Sequence, residues 1–244
     1  MKNPNNPDGF ILYRGPSVLD GAPIVVIATM SSQNVKTGKR GKKNMIQTWI
    51  LREDISPLEA SKKGLDSSIC GSCVHRHSLG GACYVTIFQA PLSIWKAYKR
   101  GSYSESLGLF HSLVFDRKVR FGAYGDPSAA PVYVWAEIAK RAQGFTGYTH
   151  QMMHPNFDES ILSFVMASVD TEEQALATNA RYFRVKRPED KALPREVECL
   201  SDSIGKTCAD CLLCDGGTKG KSVYINVHGS KAKAYNPDLI AVAA

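Results

Sequence analysis

Short runs of β-branched and aromatic residues recur along the chain, several bounded by turn formers. Eight of them predict strands: Ile24-Val25-Val26-Ile27, Thr48-Trp49-Ile50-Leu51, Tyr84-Val85-Thr86-Ile87-Phe88, and residues 119–123, 147–150, 164–169, 182–185 and 223–227. Between some of these the apolar period lengthens to that of a helix. Residues 91–100 set Ile94, Trp95 and Tyr98 near one face, and residues 129–143 set Val132, Trp135, Ile138 and Ala139 at helical spacing. Asp170-Thr171-Glu172-Glu173 opens a third helix with a capping start and acids in its first turn. Strands alternating with helices predict an α/β chain, a (β/α)8-like barrel, closed or distorted, being set against an open sheet. The first two strands read alternatively as a hairpin. No internal repeat divides the chain, so residues 1–244 read as a single barrel-like domain.

In parallel βα folds the functional residues gather where strands end. Here those ends carry Asp126, His150, Asp170 and His228, four titratable groups expected to converge on one mouth. Gly125-Asp126-Pro127 makes a tight turn that can aim a carboxylate, or can simply cap the next helix. Asp170 has the same two readings.

Seven cysteines fall in two groups, which predict Cys-rich segments over residues 66–84 and 199–228. The later group is Cys208-x2-Cys211-x2-Cys214, with Cys199 upstream and His228 downstream as alternative fourth ligands. Thiolates two residues apart turn readily onto one ion, and three cysteines plus one more ligand favour zinc over an iron–sulfur cluster. The earlier group is Cys70-x2-Cys73-x9-Cys83, with His75 and His77 between them. It predicts either a second, structural ion or an iron–sulfur cluster held by three thiolates with one iron open. Radical S-adenosylmethionine enzymes use the latter arrangement with the spacing Cys-x3-Cys-x2-Cys, which differs from that found here.

Charge adds a partner to this picture. The formal net charge is +7, and five of the eight residues 36–43 are basic: Lys36, Lys39, Arg40, Lys42 and Lys43. Such a stretch, interrupted by Gly38 and Gly41, suits a loop that follows phosphates. Arg184, in a predicted strand, is a second phosphate candidate. Residues 95–103 interleave cations with Trp95, Tyr98 and Tyr103, readable as a stacking surface or as helix core. The glycine pairs match neither a Walker loop nor a dinucleotide fingerprint, which argues against nucleoside triphosphatases and dinucleotide-dependent dehydrogenases. Neither Gly-x-Ser-x-Gly nor His-Glu-x-x-His occurs. The longest apolar run, residues 22–30, is too short to span a membrane, and the first ten residues lack a signal core. A cytoplasmic protein with reduced thiols is the expectation.

The expected barrel, the late Cys-x2-Cys-x2-Cys with His228 beyond it, and the strand-end aspartates together resemble the tRNA-guanine transglycosylase superfamily. The closer likeness is to its small phage-encoded 7-deazaguanine DNA-modifying relatives. The family's zinc motif is usually Cys-x-Cys-x2-Cys with a more distant histidine, and its Asp-Ser-Gly-Gly-Phe-Gln segment has no counterpart here. The resemblance implies exchange of guanine for a 7-deazapurine in DNA, in a phage-infected bacterial cell. It implies attack by one of Asp126 and Asp170 on the sugar C1′, His150 contacting base or phosphate, and a structural zinc. An iron–sulfur enzyme built on Cys70, Cys73 and Cys83 is the second expectation, and a metal-stapled nucleic-acid-binding protein the third. The oligomeric state is not fixed by any of these readings.

Overall fold

The computed structural model describes residues 7–31, 35–37, 45–229 and 231–236. It begins with three antiparallel neighbours, β1 (Gly9–Pro16), β2 (Pro23–Thr29) and β3 (Ile46–Arg52). Ile24 to Ala28 of β2 are buried throughout, as expected of a continuous apolar run covered on both faces. β2 and β3 pair as the hairpin reading proposed.

From β3 onward the chain changes habit, and every later pairing is parallel. β3 leads into α1 (Pro57–Lys62), started by Ser56, whose hydroxyl accepts from Glu59 N, and by a proline at the first helical position. Next come α2 (Ser67–Cys70), α3 (Ala90–Lys99) and α4 (Leu107–Val114), before β4 (Lys118–Tyr124) returns beside β3. α5 (Val132–Ala139) is followed by β5 (Gly144–Thr146) and β6 (Tyr148–Thr149). β7 (Met166–Val169), α6 (Glu172–Ala177) and β8 (Tyr182–Lys186) follow. β9 (Glu196–Glu198), α7 (Leu200–Ser203), α8 (Cys208–Cys211) and β10 (Ser222–Asn226) complete the series.

Two five-stranded sheets result, ordered β1-β2-β3-β4-β5 and β6-β7-β8-β10-β9. Only Gly147 separates β5 from β6, so one extended segment serves both sheets. A Cβ on Gly147 would lie 2.8 Å from Val165 Cγ1 and 3.0 Å from Phe121 Cβ, so the crossing tolerates no side chain. The Gly147 N–H donates to Cys214 O and its carbonyl accepts from Met166 N, both at 3.0 Å.

The main core lies against the first sheet, around Phe10, Phe110, Phe121 and Trp135. Two smaller apolar clusters serve the second, around Phe183 and Val223 and around Ala175 and Tyr182. β4 shows the division of labour. Val119 and Phe121 enter the core, while Arg120, Gly122 and Tyr124 line a cavity on the other face.

The α/β class holds. β1 and β9 are edge strands, and no ladder joins them among the described residues. The strand expected over residues 84–88 does not form: Tyr84 is 55% and Phe88 63% exposed, and no neighbouring strand offers them a ladder. Its β-rich composition lacked a partner, and a strand needs one. The helix expected over residues 129–143 is confined to α5. Among the described residues no helix is long and apolar enough to cross a membrane.

Candidate metal and active site

The segment after β3 carries the first cysteine group. α2 ends at Cys70, and Gly71 follows with φ at 52°, a left-handed turn at a place where any Cβ would overlap the Gln151 side chain. Gln151 occupies that space to bind the loop, accepting from Ser72 N at 3.0 Å and donating to Cys70 O at 2.8 Å. Cys73 N donates to Cys70 O at 3.1 Å and Cys83 N to His75 O at 3.0 Å, which folds the loop back on itself. Asp66 anchors it from below through Ser78 Oγ (2.6 Å) and Arg76 (3.3 Å). The three thiols are free and half-buried: burial pushes the Cys70 thiol well up, and negative charge on Cys73 and Cys83 pushes it further. Burial also raises Cys83. A divalent or higher cation would reverse this by drawing the protons off all three.

Beside the thiols stands a second polar group. His75 Nε2 donates to Asp170 Oδ1 at 2.6 Å, and His150 Nε2 lies 3.8 Å from Asp170 Oδ2, buried and without a hydrogen-bond partner. Burial opposes a charge on His150, yet Cys73 and Asp170 raise its pKa well above the usual imidazole value. Burial would raise Asp170, but His150 and His75 hold its carboxyl well below the carboxylate range. Tyr235 stacks on His75 at 5.7 Å. The ligand atoms of His75, His150 and Asp170 lie within 4.8 Å of one another, a set that could hold a metal ion. His77 is excluded from it, because its Nε2 donates to Val85 O (2.6 Å) and its Nδ1 accepts from Lys231 Nζ (2.7 Å).

The second cysteine group sits at the opposite end of the parallel strands. Thr207 caps α8 by accepting from Asp210 N, and Leu212 leaves it in a left-handed conformation with φ at 55°. Lys118, at the start of β4, donates to Ala209 O (2.6 Å), and Cys199 N donates to Tyr224 O (2.8 Å). Burial pushes the Cys214 thiol up to about 12, with Cys199, Cys208 and Cys211 adding to the rise. The four thiols thus make one electrostatic group. His228 stands apart from it, its ring stacked on Tyr84 at 6.1 Å and its Nδ1 3.1 Å from Asn226 O. Among the described residues the ligand atoms that lie within 4.8 Å of one another in a set of three are those of His75, His150 and Asp170, not the thiols of either cysteine group.

A cavity of about 490 Å³ connects the two groups. Cys70, Cys73 and Cys83 of the first group and Cys199 and Cys208 of the second all line it, with Tyr124, Tyr148, Phe183, Ile225 and Arg120 among the walls. Tyr124 feels Cys70, and Arg120, on the same face of the same strand, feels Cys208 and Cys214.

The strand-end residues do converge. Asp126, His150 and His228 line the cavity, and Asp170 lies directly behind His150. Asp126 has both oxygens engaged: Oδ1 accepts from Ser128 N (2.9 Å), capping residues 127–129, and Oδ2 accepts from His150 N (2.8 Å) and Gln151 Nε2 (3.2 Å). Thr171, not Asp170, caps α6. Lys36 lines the cavity and pairs with Asp202 at 2.7 Å, while Lys39, Arg40, Lys42 and Lys43 lie outside the described residues. Arg184 corrects an expectation: it is buried in a bidentate pair with Glu196 (2.7 and 2.8 Å), so it has no free face for a phosphate. Trp95 and Tyr98 donate to Arg52 O (3.1 Å) and Glu53 (2.6 Å), the helix-core reading of that stretch. Sequence reasoning passed over Gln151 and Arg120; the signal for Arg120 was a lone cation between Val119 and Phe121 in an apolar strand.

No family model, no curated protein and no solved structure matches this chain.

Proposed function

We propose that this chain is an iron–sulfur enzyme of the radical type, acting on a small molecule in the cavity between its two thiol groups. The observation that carries this reading is the first group itself. Three free, half-buried thiols, Cys70, Cys73 and Cys83, lie in one loop that folds back on itself, and all three line the cavity. Three thiolates suit a cluster that leaves one iron free, and a cluster so held supplies single electrons to a molecule at that iron. The four-thiol set at the far end suits zinc with a closed shell, a structural role.

The chain's own residues complete the site. Gln151 and Gly71 fix the turn between Cys70 and Cys73. His75, oriented by Asp170 and covered by Tyr235, and His150 place two imidazoles next to the thiols, where they can donate hydrogen bonds to sulfur or to a bound molecule. The apolar wall of Tyr148, Phe183 and Ile225 excludes water from a reactive species formed between them.

Base exchange on DNA draws less support from the geometry. It needs a carboxylate free to attack C1′. Asp126 is occupied by three donors, and Asp170 is held by two imidazoles and 7% exposed.

Elemental analysis and an ultraviolet–visible spectrum of protein purified without air test the proposal. The expected result is about four iron and four sulfide per chain with a broad band near roughly 400 nm, and about one zinc. Cys70→Ser is expected to lose the iron and keep the zinc. Zinc alone, without visible absorption, overturns the proposal and returns attention to base exchange on DNA with a 7-deazapurine as the incoming base.

A further inference from the structure

Arg120 is buried at 8% exposure in the wall of the cavity, within reach of the charges of Cys208 and Cys214. Arg52, Arg181 and Arg184 are buried too, and each pairs with a carboxylate, respectively Asp54, Asp215 and Glu196. Arg120 forms no such pair among the described residues. One Nη donates to Tyr84 Oη at 2.7 Å, and the guanidinium carbon lies 5.9 Å from the centre of the Tyr148 ring. The Nε–H is buried with no acceptor at all. A guanidinium that can be neither deprotonated nor left unpaired in an apolar wall is a site awaiting an anion.

The cavity's carboxylates do not compete for it. Asp66 is taken by Arg76 and Ser78, and Asp126 by the backbone and Gln151. Around Arg120 the walls are flat or apolar: Tyr148 and Phe183, with ring centres 4.4 Å apart, and Ile225 and Val227. We propose that Arg120 anchors the substrate through a carboxylate or phosphate, and that the substrate is a small molecule with a flat, apolar body and one such group. Its oxyanion accepts from Nε and a terminal nitrogen of Arg120, and its body lies along Tyr148 and Phe183 toward Cys70, Cys73 and Cys83. This assignment rests on reading the cavity as the substrate site, but binding at equilibrium needs no turnover, so it is tested separately from the reaction.

Benzoate, its neutral counterpart benzamide, and phenyl phosphate serve as probes, titrated calorimetrically into the metal-replete protein without air. Benzoate or phenyl phosphate is expected to bind at least about tenfold more tightly than benzamide, the scale of a hydrogen bond to a charged group. The tighter of the two anions identifies which oxyanion the site prefers. In Arg120→Gln the advantage over benzamide is expected to vanish, and in Arg120→Lys to survive in part. On the wild-type protein, the bound anion is expected to protect Arg120 from phenylglyoxal, read by peptide mass spectrometry, so the test does not depend on a variant that folds. Three results overturn the assignment: equal binding of benzoate, phenyl phosphate and benzamide, modification of Arg120 that none of them slows, or an anion advantage that persists in Arg120→Gln. An Arg120→Gln protein that only releases metal from Cys208 and Cys214 faster, with its anion preference intact, assigns the arginine to those thiolates instead. Iron content decides the reaction proposal, and anion preference decides this one.

Discussion

The two cysteine groups have nearly the same spelling, each beginning with a pair two residues apart, and the fold treats them differently. Cys70 and Cys73 leave the end of a helix on a glycine turn, and the chain runs on through His75 and His77 before Cys83 joins them. All three line the cavity. Cys208, Cys211 and Cys214 wind around a short capped helix, and Cys199 is brought to them from the end of β9 through its bond to Tyr224. That set has four thiols. The difference teaches that a ligand count decides between support and chemistry, because four protein ligands saturate a tetrahedral ion and three leave a position for something else.

Substitutions that treat the two groups alike should therefore give unlike results. The largest separation is expected from Cys73→Ser, which should abolish iron retention while zinc content and the far-ultraviolet circular dichroism stay as in the wild type. Cys211→Ser should do the reverse damage. With its ion lost, residues 199–214 lose their anchor under β4 and β5, and a loss of several kcal/mol is expected, the scale of a structural metal site; thermal melting with and without added zinc would show it. If instead Cys211→Ser melts like the wild type, the second group is not a structural support.

A smaller effect is expected where the first group meets the scaffold. Asp126 holds the backbone of His150 and, through Gln151, the turn after Cys70. Asp126→Ala should therefore lower stability by about 1–3 kcal/mol, the scale of buried donors left unpaired. It should also weaken iron retention, with zinc unchanged; denaturant melts paired with metal analysis measure both. An Asp126→Ala protein with full stability and full iron would mean that the carboxylate is held for another purpose. The smallest effect belongs to Lys36, which is 38% exposed in its pair with Asp202. Lys36→Met is expected to cost about 0–1 kcal/mol. It should nonetheless speed zinc release to a chelator, since the lysine's charge favours the Cys208 thiolate.

Much of the architecture was legible along the chain. β2, β3, β4, β7, β8 and β10 each stand where an apolar β-rich run predicted them, and α3 and α6 stand where the period changed. The strand ends were informative for the same reason, since residues that leave parallel strands share a rim, and Asp126, His150 and Asp170 do meet there. Residues 84–88 misled because β-propensity describes a surface that needs a neighbour, and only the fold supplies neighbours. Arg184 misled in the opposite way: its charge suggested a free cation, and Glu196, twelve residues on, was already its partner.

The sequence by itself determined the α/β class and the clustering of the cysteines along the chain, because these follow from spacing and period along one dimension. The tertiary structure alone decided that members of both groups line one cavity, that His75, His150 and Asp170 meet beside it, and that Arg120 is the buried arginine left without a carboxylate among the described residues. Those are facts about pairs of residues far apart in the chain, and whether a charge is paired or a ligand shell closed depends on distances that no local pattern encodes.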